Sequence, residues 1–155
     1  MAGKGKQDNK DIIRELCVAY AMELETVENY IANSVHLDGV RSDVIKKALA
    51  GDVTTEVAHA QQIAQRIKTI GGRVPGSFDN DRNQKFLQPP KDPTDVVSVI
   101  KGVIKAEEAA IKQYGRIIRI CDGRDYVTQD MVIGIMGNEE DHRREFIGFL
   151  KEYTK

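Results

Sequence analysis

The sequence has no tryptophan, two cysteines and four prolines in 155 residues. Cys17 and Cys121 are too few for a disulfide framework and lack the spacing of a metal knuckle. They read as reduced thiols buried on helices, with a redox or metal-adjacent role as the alternative. No apolar run approaches the roughly 18 residues a membrane span needs, so no membrane partner is expected. The segment from Met1 to Lys10 is polar and lacks the apolar region of a signal peptide, which leaves a cytoplasmic address as the expectation. The formal net charge of −1 gives the chain no general pull toward nucleic acid or an anionic membrane. Residues 1–8 are expected to form a flexible polar tail. Its lysines Lys4 and Lys6, with Lys10 beside them, are too few for a DNA-binding arm.

What the chain does have is helix. Apolar residues make up 41% and charged residues 30%, the balance of one well-folded domain over 1–155. Start and stop signals bound four long helical segments. The first begins near Asp8–Asn9 and runs to about His36. The second is capped by Ser42 and stops at Gly71–Gly72. The third opens after Pro93 with Thr94 as cap and closes at Asp122–Gly123. The fourth starts at Asp125 or Thr128 and reaches Tyr153. Short links join helices one and two, and three and four, so each pair forms an antiparallel hairpin. Between the pairs, residues 71–93 hold all four prolines, Pro75, Pro89, Pro90 and Pro93. That stretch is long enough to return along the whole bundle as a single crossover loop. The expected fold is an all-α four-helix bundle with one long crossover between helices two and three.

Each apolar stripe is interrupted at its middle by an acid. In the first helix it reads Ile13, Leu16, Tyr20, Glu23, Val27, Tyr30, Ser34. In the third it reads Ile100, Ile104, Glu107, Ile111, Tyr114, Ile118, Cys121. The fourth runs Val132, Ile135, Glu139, His142, Phe146, Phe149, Tyr153, and the weaker second one passes through Leu49, Asp52, Glu56, His59 and Ile63. Glu56–His59 and Glu139–His142 are two copies of Glu-x-x-His, whose side chains leave the helix on one face. Glu23 lies 33 positions before Glu56 and Glu107 lies 32 before Glu139. Tyr30 and Tyr114 follow those acids by seven residues each. The chain thus reads as two related hairpins about a pseudo-twofold axis.

A carboxylate isolated in a core costs several kcal/mol or is neutralised by a shifted pKa. Four at one level repel as well. Two divalent cations remove the difficulty, because four carboxylate charges meet four metal charges and the imidazoles complete the coordination. Glu56 and Glu139 are placed to bridge the metals, with Glu23 and His59 terminating one and Glu107 and His142 the other. Oxygen ligands with one imidazole per metal suit iron or manganese, and ligand type does not separate the two.

With these residues placed, the chain resembles the ferritin superfamily, bacterioferritin most closely. Met22-Glu-Leu-Glu-Thr-Val-Glu-Asn-Tyr30 is similar to the bacterioferritin first-helix motif, including a tyrosine beside the di-iron centre. The stretch from Asp125 to His142 resembles the start of the fourth helix, and Glu56-Val-Ala-His59 the second-helix motif. The resemblance implies a ferritin-like fold and a ferroxidase holding two iron ions per subunit. It implies O₂ or H₂O₂ as oxidant, a ferric mineral as product and a homo-oligomeric cage. Tyr30 takes the near-site tyrosine's role, either as electron donor or as hydrogen-bond partner of a ligand.

Departures refine the comparison. Val57 stands where bacterioferritins place the haem-ligand Met, so no haem is expected. Thr55 and Gly51 replace the acid and His of the auxiliary inner iron site. The sequence ends 13 residues after His142, without the fifth helix of 24-subunit cages, which favours a Dps-like dodecamer. The cysteines invite comparison with Dps-like thioferritins. The alternative function is a di-metal redox enzyme without storage, rubrerythrin-like or manganese-catalase-like, consuming peroxide.

Overall fold

The computed structural model describes residues 9–155; the expected tail over 1–8 lies outside them. Four helices carry the architecture: α1 (Lys10–His36), α2 (Asp43–Thr69), α3 (Val96–Cys121) and α4 (Tyr126–Tyr153). Each has 26 to 28 residues, hence a length of about 40 Å. The helices pack as the hairpins α1–α2 and α3–α4, with α1 also lying against α3. The expected all-α bundle with one long crossover is the fold observed.

The helix ends show what terminates each rod. After α2 the chain turns through Gly71, whose φ of 93° favours glycine. The Gly71 amide donates to the Lys68 carbonyl and the Gly72 amide to Ile67, which satisfies carbonyls the helix end would orphan. At the start of α4, Asp125 accepts from the Thr128 amide at 3.0 Å and from Arg66 Nη2 of α2 at 2.9 Å. One carboxylate therefore caps α4 and ties it to the end of α2. Two caps differ from expectation. At α3 the capping side chain is Asp95, accepting from the Ser98 amide, while Thr94 turns back to Asp92 Oδ1. Ser42 does precede α2, but its hydroxyl donates to the Asp38 carbonyl at 2.5 Å and caps nothing.

The crossover carries two short 3₁₀ turns, Ser77–Asp79 and Lys85–Leu87. The second one packs on α3, where Gly102 makes room: a Cβ there would stand 2.5 Å from the Phe86 carbonyl oxygen. On the α1 side, Glu25 accepts from the Asn83 amide at 2.8 Å and the Gln84 amide at 2.9 Å. Asn33 donates to the Leu87 carbonyl, and Asn29 and Thr26 engage the Gln84 side chain. The helix α1 consequently buries more than its inward stripe. Leu16, Glu23 and Tyr30 are buried as expected, whereas Ile13, Tyr20, Val27 and Ser34 are only half-buried. Ile12, Ala19, Glu25, Asn29 and Asn33 are buried in addition, the last three beneath the crossover.

Two apolar clusters fill the bundle. One gathers Tyr30, Leu37, Ile45, Leu49, Ile100, Val103 and Phe146 with their neighbours. The other gathers Ile12, Leu16, Ile63, Ile67, Tyr114, Ile117 and Val132 with theirs. Between them lies a layer of acids and histidines.

Candidate metal centre

The middle turn of each helix supplies that layer. Glu23 comes from α1, Glu56 and His59 from α2, Glu107 from α3, and Glu139 and His142 from α4. The spacing of three places Glu56 with His59, and Glu139 with His142, on one helix face. Five of the six are at most 3% exposed; the His142 side chain is the most open, at 12%.

The side chains converge as two overlapping sets. In one, single atoms of Glu23, Glu56, His59 and Glu139 all lie within 4.8 Å of one another. Glu56, Glu107, Glu139 and His142 form the other under the same limit. Glu56 and Glu139 belong to both. Each histidine turns Nδ1 inward: His59 Nδ1 is 2.9 Å from Glu139 Oε1 and 3.6 Å from Glu56 Oε2. His142 Nδ1 is 3.2 Å from Glu56 Oε1 and 3.8 Å from Glu107 Oε1.

Every one of the six residues has a buried polar atom with no hydrogen-bond partner. They are Glu23 Oε2, Glu56 Oε1, His59 Nδ1, Glu107 Oε2, Glu139 Oε1 and His142 Nδ1. A buried polar atom without a partner costs about 1–3 kcal/mol, and more for a charged group. Six such atoms at one level are a poor apolar core and a good ligand set. The buried carboxylate–histidine clusters fit a di-metal site.

Without metal, protons carry the balancing charge. Burial and the neighbouring Glu56 push Glu23 well above the usual carboxylate range. Burial, with Glu107 beside it, lifts Glu139 to about 11. Burial would raise Glu56 too, but the close approach of Glu23, His142 and His59 outweighs it and holds that carboxyl at about 2. Burial disfavours charge on both imidazoles, yet the carboxylates win: His59 rises to about 12 and His142 to about 11.

Around this set stand further side chains. Tyr30 donates to Glu107 Oε1 at 2.5 Å, and Tyr114 donates to Glu23 Oε1. Each tyrosine therefore reaches across to the acid of the opposite hairpin. Both phenols are fully buried, and burial with the adjacent carboxylate charge raises them well above their ordinary range. Asn138 contacts His59 Nε2 at 3.0 Å, and Asp52 Oδ1 lies 3.6 Å from His142 Nε2. Asp52 was visible as a stripe residue, but its place behind His142 was not. Asn138 lies off the stripe, and only the packing of α2 on α4 reveals its contact.

Both cysteines are free thiols. Cys121 belongs to the second apolar cluster, and the half-buried Cys17 packs against it. Gln113 of α3 donates to the Glu15 backbone carbonyl of α1 at the same end of the bundle.

The model of the ferritin family, described as a ferritin-like domain, matches residues 13–155. The chain belongs to the ferritin family. Among curated relatives, this ferritin-like chain is 25% identical over 142 residues to a "DNA protection during starvation protein" of Pyrococcus furiosus. That alignment covers 90% of this chain and 76% of the relative. Among solved structures, a bacterioferritin of Desulfovibrio desulfuricans with a diiron site superposes with a TM-score of 0.85 at 22% identity. It covers 99% of this chain and 85% of that one. A dodecameric thioferritin, the bacterioferritin-related protein of Bacteroides fragilis, gives 0.80 at 23% identity, covering 94% and 87%. Among the described residues, no helix of this ferritin-like chain is long and apolar enough to cross a membrane.

Proposed function

We propose that this ferritin-like protein is a ferroxidase, with Fe(II) as its substrate and O₂ or H₂O₂ as its oxidant. In this reading Glu56 and Glu139 bridge two iron ions. Glu23 with His59 hold one, and Glu107 with His142 hold the other. The observation that carries it is the sharing of Glu56 and Glu139 between two sets of ligating atoms. A staple for one structural ion would need only one set.

The chain's own residues perform recognisable tasks. Four carboxylates and two imidazoles would neutralise two ferrous ions and hold them side by side, so that each can give one electron to a two-electron oxidant. Tyr30 and Tyr114 orient Glu107 and Glu23 by hydrogen bonds. Tyr30, hydrogen-bonded to Glu107, would also give an electron in this reading. The apolar clusters on either side of the layer exclude bulk water. Val57 stands where a haem-ligand Met would be in a bacterioferritin, and no haem belongs to the reading.

Storage as a ferric mineral in a homo-oligomeric cage completes the proposal, with a dodecamer favoured. Exposed Ile31 and Val35, one turn apart on α1, and the fully exposed Phe78 of the crossover supply apolar surface for subunit contacts. The test combines anaerobic Fe(II) titration, stopped-flow oxidation by O₂ or H₂O₂, and mass by light scattering. Two Fe(II) per chain oxidised rapidly, then many more irons retained by a large assembly, are expected. A dimer that holds two metals per chain and consumes peroxide without further iron uptake would replace storage with the non-storage redox enzyme. Oxidation no faster than in protein-free buffer would remove the ferroxidase.

A further inference from the structure

The two halves of the centre are related by a pseudo-twofold axis in every ligand: Glu23 corresponds to Glu107, Glu56 to Glu139, and His59 to His142. Their surroundings break that symmetry. The outer nitrogen of His59 meets the amide of Asn138 at 3.0 Å. On the other half the outer nitrogen of His142 meets a carboxylate, Asp52 Oδ1, at 3.6 Å. By the same axis, Asp52 corresponds to buried Ile135 and Asn138 to Thr55. Neither partner has a chemical equivalent on the opposite side.

Asp52 lies behind His142, at the edge of the centre. Its side chain is 17% exposed, and its second oxygen, Oδ2, is buried without a hydrogen-bond partner. It caps no helix, and among the described residues its one ion-pair contact is His142. At 3.6 Å the contact is electrostatic and not a formed hydrogen bond. Both histidines aim Nδ1 at the carboxylate cluster. When Nδ1 takes a metal, the ring proton sits on Nε2 and needs an acceptor. An ionised carboxylate there makes the imidazole a stronger donor to metal and adds a negative charge to its half of the centre. An amide can only turn its oxygen toward that proton and adds no charge.

We infer that Asp52 is a positioning residue that makes the two metal positions unequal. The position served by Glu107 and His142 takes the first divalent cation, and the position served by Glu23 and His59 takes the second more weakly. This rests on the two-metal reading above and adds an order of filling to it.

The probe is Co(II), titrated into the metal-free full chain and followed by calorimetry and visible absorption. The wild type should bind two ions in two steps, the first tighter. Asp52→Asn keeps the shape and removes the charge; it should weaken the tighter step about 10- to 100-fold while the total stays at two, so the steps merge. Asp52→Glu should keep them apart, and Asn138→Asp should tighten the weaker step. Glu23→Ala should spare the tight step and Glu107→Ala abolish it. Two equal steps in the wild type, an unchanged Asp52→Asn titration, or the reverse result for the glutamate pair would overturn the inference. So would a third ion lost with Asp52, which would make it a ligand. A wild type that binds one Co(II) or none fails before any variant is made, and then the two-metal reading itself falls.

Discussion

Tyr30 on α1 and Glu107 on α3 share a hydrogen bond of 2.5 Å between two fully buried side chains. Tyr114 and Glu23 make the reciprocal bond. The phenols therefore link the hairpins at the level of the buried acids and histidines. Removing the hydroxyl in Tyr30→Phe leaves Glu107 without its donor, at a cost of about 1–3 kcal/mol when no metal is present. The metal-free protein should melt several degrees lower, and metal should recover most of that loss. Stopped-flow oxidation should slow by about tenfold or more. A variant indistinguishable from wild type in both measurements would reduce Tyr30 to packing alone.

In the proposed centre, Glu107→Ala would remove a ligand outright. The expected result is loss of rapid Fe(II) oxidation with the helical circular dichroism retained, since one buried acid is replaced by a good helix former. Unchanged oxidation kinetics would take Glu107 out of the centre.

Metal loading should release protons. At neutral pH the metal-free site holds protons on Glu139, His59 and His142, raised to about 11 or 12, and burial shifts Glu23 in the same direction; ligation requires these groups deprotonated. Calorimetric titrations in two buffers of different ionisation enthalpy should report more than one proton released per metal ion. The stability linkage has a definite sign. A raised pKa means the folded state binds more protons than the unfolded one, so the contribution falls as pH rises. For the histidines it is fully present below about 6.5 and lost toward 11 to 12. For Glu139 the loss begins near 4.5 and continues toward 11. Glu56, held at about 2, contributes above 4.5 and loses that as pH falls. Between about pH 5 and pH 9 the metal-free melting temperature should therefore fall, and the gain on adding metal should grow. A metal-induced gain that shrinks with pH would contradict this proton inventory.

The reach of the sequence can be judged residue by residue. Glu56–His59 and Glu139–His142 were legible because a carboxylate and an imidazole three apart on an apolar stripe pack badly unless something binds them both. The crossover was legible because prolines confined to one stretch forbid a fifth long helix there. Asp52 lies on the same stripe as Glu56, but its contact with His142 depends on the packing of α2 against α4, which no local pattern encodes. The cap of α3 was misplaced by one residue, because Thr94 and Asp95 are both good capping types and the loop geometry chose between them. Glu25 was unreadable for a stronger reason. In a helix facing solvent it would be an ordinary charged residue, and only the crossover folding over α1 makes it a buried acceptor.

That contrast can be measured with two acids on one helix. Glu25 accepts from the Asn83 and Gln84 backbone amides and is 6% exposed. Glu28, three residues on, pairs with Arg82 of the same crossover at 3.2 Å, with its side chain 66% exposed. Glu25→Ala strips two backbone donors of a charged acceptor and should cost about 2–3 kcal/mol. Glu28→Ala breaks a surface ion pair and should cost less than about 0.5 kcal/mol. Urea denaturation of the metal-free variants gives both numbers. Limited proteolysis should cut the Glu25 variant faster within the crossover and leave the Glu28 variant unchanged. Equal destabilisation by the two substitutions would mean that the crossover is held by its apolar contacts, Leu87 on α3 foremost, and that the buried acid merely fills a place where its charge is tolerated.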